Sequence, residues 1–339
     1  MRNASREDLW KVWIYAAMVV ATGAWISPFL YNAGHALAEV SSNKTTNGVL
    51  EWLAGYCRVA DFSKFYAAGI LLAAVVLFLP WMEWIHAKKN DTSTGVGGPW
   101  FLRLPAGARM PARGQPLRRN LRGLWQCCAG FLLVSGFLLS MGAALVPAGL
   151  FAMRQPPNGM AVMAFRTLMI ALLLAAVMEI FFRGIVLGIF MRTMRPSAAL
   201  GMSALFFSLM MIVIPSAGMR VADPESAGAG FELLRMAVWH FCEWRTFFGE
   251  FIPIMILGGV LAYARWRTAS LWLPIGLHAG WIFAKSVLAQ LSSVPGINPD
   301  ILSGKLIQQG FVPLIAIVLA GILTHCITAN HGHDRAIDS

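Results

Sequence analysis

Charged residues are scarce in this sequence, and acidic residues are the scarcer kind. Only 13% of the residues are charged, with 16 Asp and Glu against 27 Lys and Arg, whereas 58% are hydrophobic. This composition excludes an ordinary soluble enzyme and predicts an all-α polytopic membrane bundle of about eight transmembrane helices. The net charge of +11 would suggest a nucleic-acid partner in a soluble chain. Here the basic residues cluster in short loops between apolar runs, so membrane topology explains them and no nucleic acid is expected.

Cysteine is sparse as well, and its spacing excludes one class of site. The five cysteines show no C-x-x-C pair, so a zinc ribbon is excluded, and neither a metal nor another cofactor is expected. Cys57 and Cys242 both fall in predicted outer loops, where a disulfide is one interpretation and two unrelated thiols the other. Cys127 and Cys128 lie at the head of an apolar helix, where we expect them to act as small hydrophobic residues.

No cleavable signal is evident, because the first apolar run follows basic residues and is too long for a signal-peptide core. The predicted spans cover residues 10–31, 65–85, 125–153, 167–191, 197–215, 247–263, 271–288 and 311–328. These spans divide the chain into an N-terminal two-helix segment with a basic loop at 1–123, a membrane bundle at 124–330 and a C-terminal tail at 331–339. The short core that carries the motifs described below covers about 167–288.

The loop after the second span is strongly basic. Residues 88–123 hold eight Lys and Arg against the single acid Asp91, which predicts that the loop and both termini are cytoplasmic. By this topology 16 basic residues lie on the cytoplasmic side and 9 outside. The Gly and Pro content of the loop favours a flexible segment near anionic lipid head groups, so membrane lipids are expected partners.

The fourth predicted span contains two opposite charges, Glu179 and Arg183. Charges inside an apolar run of this length are costly and usually mark function. The two residues are four apart with the acid on the N-terminal side, which on a helix favours their pairing. A purely structural ion pair that locks this helix to its neighbours is the alternative.

Three motifs in the second half of the chain resemble those of one family. Residues 179–184 read Glu-Ile-Phe-Phe-Arg-Gly, similar to the Glu-Glu-x-x-Phe-Arg-Gly motif of the CPBP family of CAAX-processing and bacteriocin-processing, Abi-type intramembrane glutamic proteases. Residues 203–211 are similar to the second motif of that family, and residues 271–281 to the third. The resemblance implies an integral membrane peptidase fold in a bacterial inner (plasma) membrane, with candidate catalytic roles for Glu179, Arg183 and His278.

The sequence departs from the family at three positions. The family uses the first Glu of motif one to activate water, a His at the end of motif two, and an Asn four residues after the His of motif three. Those positions are Met178, Met211 and Ile282 here. A thioether supplies neither a general base nor a donor for an oxyanion. We therefore expect weakened or lost classical proteolysis and a retained cavity for a membrane peptide.

Two functional hypotheses follow, with a third behind them. One is an active intramembrane peptidase with an altered site, in which Glu179 is the base and His278 the oxyanion or proton partner. The other is a catalytically silent relative that binds a membrane-embedded or prenylated peptide, or a partner membrane protein. A transporter is the third, but no inverted pair of broken helices is apparent.

Several histidines have competing interpretations. At about 1.5 Å per residue, Glu179, Met211 and His278 lie roughly 15 to 22 Å from the cytoplasmic ends of their helices, which allows one shared site. Alternatively, His278 is a core histidine bonded to a neighbouring helix. His240 replaces the missing histidine only if its loop folds inward, and an interfacial aromatic segment is the alternative. The remaining candidates are the tail histidines, which either bind metal or are solvated: His325, His331 and His333.

Overall fold

The computed structural model describes residues 2–43, 47–86, 123–147, 159–215 and 219–291, together with 315, 317–319 and 321–323. All regular elements in these ranges are helical, which confirms the predicted all-α membrane bundle. The α-helices are α1 (Arg2–Asn43), α2 (Gly48–Val59), α3 (Phe62–His86), α4 (Gly123–Leu145), α5 (Met160–Glu179), α6 (Leu187–Thr193), α7 (Pro196–Ile212), α8 (Ala229–Cys242), α9 (Trp244–Thr246), α10 (Ile252–Thr268) and α11 (Trp272–Leu291). Two π-helical segments, Ile180–Val186 and Phe247–Phe251, join α5 to α6 and α9 to α10.

Five helical stretches in the described ranges are long and apolar enough to cross a membrane. They are Glu7–Ser41, Phe62–Ile85, Gly123–Ala144, Met160–Thr193 and Phe247–Thr268, and each coincides with a predicted span. The shorter α7 and the 20-residue α11 also occupy predicted spans. The basic loop at 88–123, most of the eighth predicted span at 311–328 and the tail lie outside the described residues, so the total of eight spans stays a prediction.

The chain divides into two compact units. Unit 1 comprises Met1–Gly95 and Leu209–Phe247, and unit 2 comprises Val96–Ser208 and Phe248–Ser339. The first unit therefore contains α1, α2, α3, α8 and α9, and the second contains α4, α5, α6, α10, α11 and most of α7. The predicted division of the chain at 123 and 330 stays a prediction.

In unit 1, α1 and α3 form a closely packed pair. A Cβ on Gly23 would lie 2.6 Å from the Cα of Ile70, so only glycine allows the two backbones to approach this closely. At the end of the pair, the Lys11 ammonium donates to the backbone oxygen of Trp84 at 2.8 Å. Close backbone contact and the hydrogen bond from Lys11 to Trp84 therefore hold α1 and α3 together.

Two segments of unit 1 that were expected to be polar connections are helices. The Asn47 side chain caps α2 by accepting from the Val49 amide at 2.9 Å. Helix α8 begins where Gly230 packs against Ala24 and Ser27 of α1 without room for a Cβ. Both helices are amphipathic and shorter than a span, so the search for long apolar runs missed them.

The cysteines that were candidates for a disulfide are free thiols. Cys57 is buried beneath α1, and Cys242 is exposed at the end of α8. In unit 2, Cys127 is half-buried and Cys128 is exposed, at the beginning of the apolar helix α4. The disulfide interpretation is therefore not realised in this structure.

Unit 2 is built around the contact between α4 and α11. Gly276 packs against the backbone of Cys127, and a Cβ on Gly280 would lie 2.6 Å from the Phe131 oxygen. An apolar core lies beside this contact and contains Val134, Leu138, Leu257, Leu261, Ala264, Leu277, Trp281, Ala284 and Ile317. Because two glycines bring α11 close to α4, the position of α11 is set by backbone contact and not only by side chains.

Candidate functional site

Glu179 and Arg183 pair within unit 2, as predicted. The Arg183 Nη1 donates to the Glu179 Oε1 at 3.0 Å, and both side chains are 0% exposed. Helix α5 carries Glu179 as its last residue, and Arg183 lies in the following π-helical segment. An ion pair removed this completely from solvent is stable only when further hydrogen bonds satisfy its remaining polar atoms.

The π-helical segment determines how this pair is presented. At its end the Leu187 amide donates to the Phe182 oxygen five residues earlier, where an α-helix would use a residue four earlier. The wider turn leaves all residues from Phe182 to Val186 buried, with Arg183 among them. Such segments occur often at functional sites, and the sequence carries no pattern that would have predicted this one.

His278 reaches the same carboxylate from α11. Its Nδ1 lies 2.7 Å from the Glu179 Oε1, and the residue is 3% exposed. Since an ionised carboxylate only accepts, Nδ1 carries the hydrogen of this bond and Nε2 remains as the atom that can contact a ligand. The structure therefore brings together the three residues that the sequence proposed for the site, Glu179, Arg183 and His278.

Two further helices complete the surroundings of Arg183. Its Nη2 donates to the backbone oxygen of Gly258 on α10 at 3.1 Å. The guanidinium also lies 4.3 Å from the ring centroid of Phe207 on α7, and that ring meets His278 edge to face at 5.8 Å. Gly258 makes this possible, because a Cβ there would already lie 3.1 Å from Phe207 and 3.2 Å from Ala204.

Three buried polar atoms on α5, the π-helical segment after it and α7 have no hydrogen-bond partner in the part of the chain that the structure describes. They are the Glu179 Oε2, the Arg183 Nε and the Ser203 Oγ. Ser203 is fully buried and lies one helical turn before Phe207 on α7. An unsatisfied buried polar atom costs about 1 to 3 kcal/mol, so a hydrogen-bonding partner that reached any of these atoms would be stabilised there.

The three positions where the family motifs are altered are all half-buried. Met178 precedes Glu179 on α5, and Ile282 lies one turn beyond His278 on α11. Met211 lies in the last turn of α7, in the part assigned to unit 1. None of them carries a group that could activate water or donate to an oxyanion.

The other histidine candidates lie elsewhere. His240 belongs to unit 1, where its Nδ1 is 3.7 Å from a Glu243 carboxylate oxygen and its Nε2 is 3.4 Å from the Thr246 hydroxyl. The segment that carries it is the helix α8, which corrects the expectation of a loop. The tail histidines at 325, 331 and 333 lie outside the described residues.

Sequence reasoning missed two contributors to the site, Gly258 and Phe207, and the unpartnered Ser203 hydroxyl on α7. Phe207 and Ser203 fall within the second motif, but only the last position of that motif was considered as functional. Gly258 lies in an apolar run, where its adjacent Gly259 is the only signal of a close helix contact. A backbone carbonyl as partner of Arg183 cannot be recognised from residue types.

Residues 160–284 match the family model described as Rce1-like, type II CAAX prenyl endopeptidase Rce1-like. The match starts at the first residue of α5 and ends within α11, so it contains Glu179, Arg183 and His278. No curated protein and no solved structure matches the chain. Three findings lead to one conclusion: the five apolar membrane-length helices, this match, and the buried cluster of Glu179, Arg183 and His278. The chain is a helical membrane protein whose residues 160–284 are similar to CAAX-protease-like members of the CPBP family.

Proposed function

We propose that this protein binds a membrane-embedded or prenylated peptide at the Glu179–Arg183–His278 cluster without cleaving it by the classical chemistry of the family. The observation that carries the proposal is a set of buried atoms with no hydrogen-bond partner within the described ranges, the Glu179 Oε2, the Arg183 Nε and the Ser203 Oγ. A peptide bond inside a membrane has its own unsatisfied N–H and C=O groups. Hydrogen bonds between the unpartnered atoms of the protein and the free N–H and C=O groups of an unwound peptide therefore favour its binding.

The arrangement of hydrogen bonds argues against the Oε1 of Glu179 as the atom that takes a proton from water and leaves only its Oε2 for that role. Its Oε1 already accepts from the Arg183 guanidinium at 3.0 Å and from the His278 ring at 2.7 Å. A carboxylate oxygen has two lone pairs in the plane, so a further proton on Oε1 would displace one of these donors. Binding is compatible with this network, whereas proton abstraction by Oε1 breaks it.

An altered-site peptidase is the second candidate, and the 2.7 Å bond between His278 and Glu179 favours it. In that case the roles differ from those expected from the sequence, because Glu179 orients the imidazole and the Nε2 of His278 accepts a proton from water. The resulting hydroxide attacks the peptide carbonyl, and the proton passes to the leaving amine. With Met211 and Ile282 in place, the oxyanion lacks the imidazole and the amide that the family motifs would supply, a loss of about 10² to 10³ in rate for each donor.

Binding and cleavage can be measured together on purified protein in detergent or liposomes. We expect a panel of labelled prenylated and transmembrane peptides to bind, as seen by fluorescence anisotropy, and to remain intact by mass spectrometry. Ser203→Ala should weaken binding about five- to tenfold, because it removes one unpartnered hydroxyl. The matched control is Ser208→Ala on the same helix, since the Ser208 hydroxyl already donates to the Ala204 oxygen at 2.8 Å.

Cleavage by the unmodified chain decides between the two candidates. Turnover that is abolished by Glu179→Gln or His278→Ala but kept by Glu250→Gln would reject the silent relative and establish the altered-site peptidase. For a silent relative, we expect cleavage only after the combined change Met178→Glu, Met211→His and Ile282→Asn, which restores the three family positions. Glu250 is a suitable control because it is the other acidic residue in the described part of unit 2.

We also propose that the protein lies in a bacterial inner membrane with both termini cytoplasmic. The support is the excess of basic residues in the loop at 88–123. A cysteine introduced at Arg113 should react with a membrane-impermeant reagent only after the inner face is opened. Labelling of that cysteine in intact cells would show that the loop lies outside and would contradict the proposed orientation.

A further inference from the structure

Unit 1 contains a surface cavity whose lining is polar and carries both signs of charge. Its volume is about 580 Å³, which lies within the size range of ligand pockets. The polar side chains that line it are Asn32, His35 and Glu39 of α1, Arg58 of α2 and Glu225 of the segment before α8. Polar groups that lose water to a ligand need new hydrogen-bond partners from it, so this lining favours a ligand that is itself charged.

Contacts between α1, α2 and α3 hold one wall of this cavity in place. The Arg58 Nη2 donates to the backbone oxygen of Ala38 at 3.3 Å, which ties α2 to α1. The His35 ring lies beside the rings of Tyr31 and Phe65, with centroids 4.3 Å and 5.9 Å away. A guanidinium has five N–H donors in one plane, so the bond to Ala38 leaves others for a ligand.

A turn positions Glu225 on the other wall. Its amide donates to the Asp223 Oδ1 at 3.1 Å, and the Ser226 hydroxyl donates to the Asp223 backbone oxygen at 3.1 Å. These bonds engage the backbone of Glu225 and not its carboxylate. Glu39 supplies a second carboxylate, and each carboxylate can accept several hydrogen bonds. Two carboxylates and one guanidinium in one cavity suit a ligand that carries both a cationic and an anionic group.

The cavity lies at the end of a membrane-length helix. The candidate span Glu7–Ser41 has 35 residues, which extend about 52 Å along a helix axis, whereas the hydrocarbon core of a bilayer is about 30 Å thick. The apolar run of this helix ends at Tyr31, and Asn32 follows it directly. The part of α1 that lines the cavity therefore lies at the level of the phospholipid head groups.

Helix α2 presents an apolar surface beside the cavity. One face packs on α1, since Cys57 is buried and its Sγ lies 3.2 Å from the Cβ position of Gly34. Another face exposes large apolar side chains at helical spacing, namely Val49, Trp52, Leu53, Tyr56 and Val59. Amphipathic helices of this kind lie in the membrane interface with their apolar side chains among the acyl chains. Because Arg58 belongs to the same helix, lipid acyl chains can contact α2 while a head group occupies the cavity.

We propose that this cavity binds a phosphoethanolamine group, supplied by the head group of a zwitterionic phospholipid. Arg58 contacts the phosphate, because a planar guanidinium matches phosphate oxygens in pairs. Glu39 and Glu225 accept hydrogen bonds from the ammonium, which has three N–H donors. A phospholipid without the ammonium binds less well, because both carboxylates repel its phosphate. This site needs none of the residues proposed for peptide binding in unit 2.

The test uses the full chain purified in an uncharged maltoside detergent. Short-chain phosphatidylethanolamine and short-chain phosphatidylglycerol, which lacks the ammonium, are titrated separately, and bound lipid is counted by native mass spectrometry. The unmodified protein should bind phosphatidylethanolamine about fivefold more tightly. Glu225→Gln should remove most of this preference. The matched control is Glu51→Gln, which changes an exposed acid of α2 outside the cavity lining and should keep the preference.

A second variant tests the phosphate contact. Arg58→Met should weaken phosphatidylethanolamine binding about three- to fivefold, because it removes the guanidinium. Lys64→Met removes a charge from an exposed position on α3 and should change the affinity less than about twofold. Since Arg58 also ties α2 to α1, the unfolding temperature of each variant is measured without lipid. If Arg58→Met does not fold, Glu225→Gln decides alone, because it leaves the bond to Ala38 intact.

Equal affinity of the unmodified protein for the two lipids would overturn the proposal, as would equal losses in the Glu225 and Glu51 variants. Glycerophosphoethanolamine, which carries the same head group without acyl chains, distinguishes the two sources of the ligand. Binding much weaker than that of phosphatidylethanolamine would support a lipid head group. Equal binding would assign the cavity to a free zwitterion that carries the phosphoethanolamine group.

Discussion

The two units place their charged residues differently along their helices. In unit 1 the charged residues of α1 and α3 lie near the helix ends, and Lys11 is an example, with its ammonium on the Trp84 oxygen at 2.8 Å. In unit 2 the continuous helical stretch Met160–Thr193 carries Glu179 and Arg183 deep in its interior, both 0% exposed. Charge near a helix end can remain close to polar surroundings, whereas charge in the middle of a span must be satisfied by the protein.

Both units nevertheless use the same device for helix contact. Gly23 and Gly230 in unit 1, and Gly276 and Gly280 in unit 2, lie against the backbone of another helix. Small residues at such contacts compensate for the absence of a hydrophobic driving force between helices in lipid. The units therefore differ in electrostatics and not in packing, which suggests that the buried charges of unit 2 serve function more than assembly.

The largest expected effect comes from breaking the ion pair of unit 2. Glu179→Gln or Arg183→Gln alone should reduce the free energy of unfolding by about 3 to 5 kcal/mol, because each leaves a buried charge without its partner. The double variant should lose less than the sum of the single losses. Thermal or denaturant unfolding of the detergent-solubilised variants measures this, and equal stability of all three variants would contradict the pairing.

A smaller effect should follow from adding a methyl group at the helix contacts, equally in both units. Gly230→Ala and Gly276→Ala should each lose about 1 to 3 kcal/mol, since a Cβ at either position collides with a neighbouring backbone. Gly136→Ala on α4 is the control, because nothing lies within 4 Å of its Cβ position. That change should be neutral or stabilise by about 0.5 to 1 kcal/mol. A loss at one contact glycine only would show that the units are packed differently after all.

The smallest expected effect is at the charged end of unit 1. Lys11→Met removes the hydrogen bond to Trp84 and a 3.6 Å contact with Asp8 but keeps most of the packing volume. We expect a loss of about 1 kcal/mol in the free energy of unfolding, well below that of the Glu179 or Arg183 variants. A loss as large as that of Arg183→Gln would remove the electrostatic contrast between the units.

Sequence reasoning succeeded where a single physical signal dominates. Long apolar runs located the five membrane-length helices, and the spacing of Glu179 and Arg183 predicted their pairing. It failed for α2 and α8, because short amphipathic helices resemble polar connections in a hydropathy reading. It also failed for the partners of Arg183, since Gly258 contributes a backbone oxygen that every residue type possesses.

The amino-acid sequence by itself determined that this chain enters a membrane as helices and that one of them carries a charge pair in its interior. These properties follow from composition and from spacing along one helix, which need no knowledge of distant residues. Only the tertiary structure decided that His278, ninety-nine residues after Glu179, donates to the same oxygen, and that the Ser203 hydroxyl has no hydrogen-bond partner among the described residues. Both depend on close approach of separate helices, which glycines at their contacts permit but do not specify.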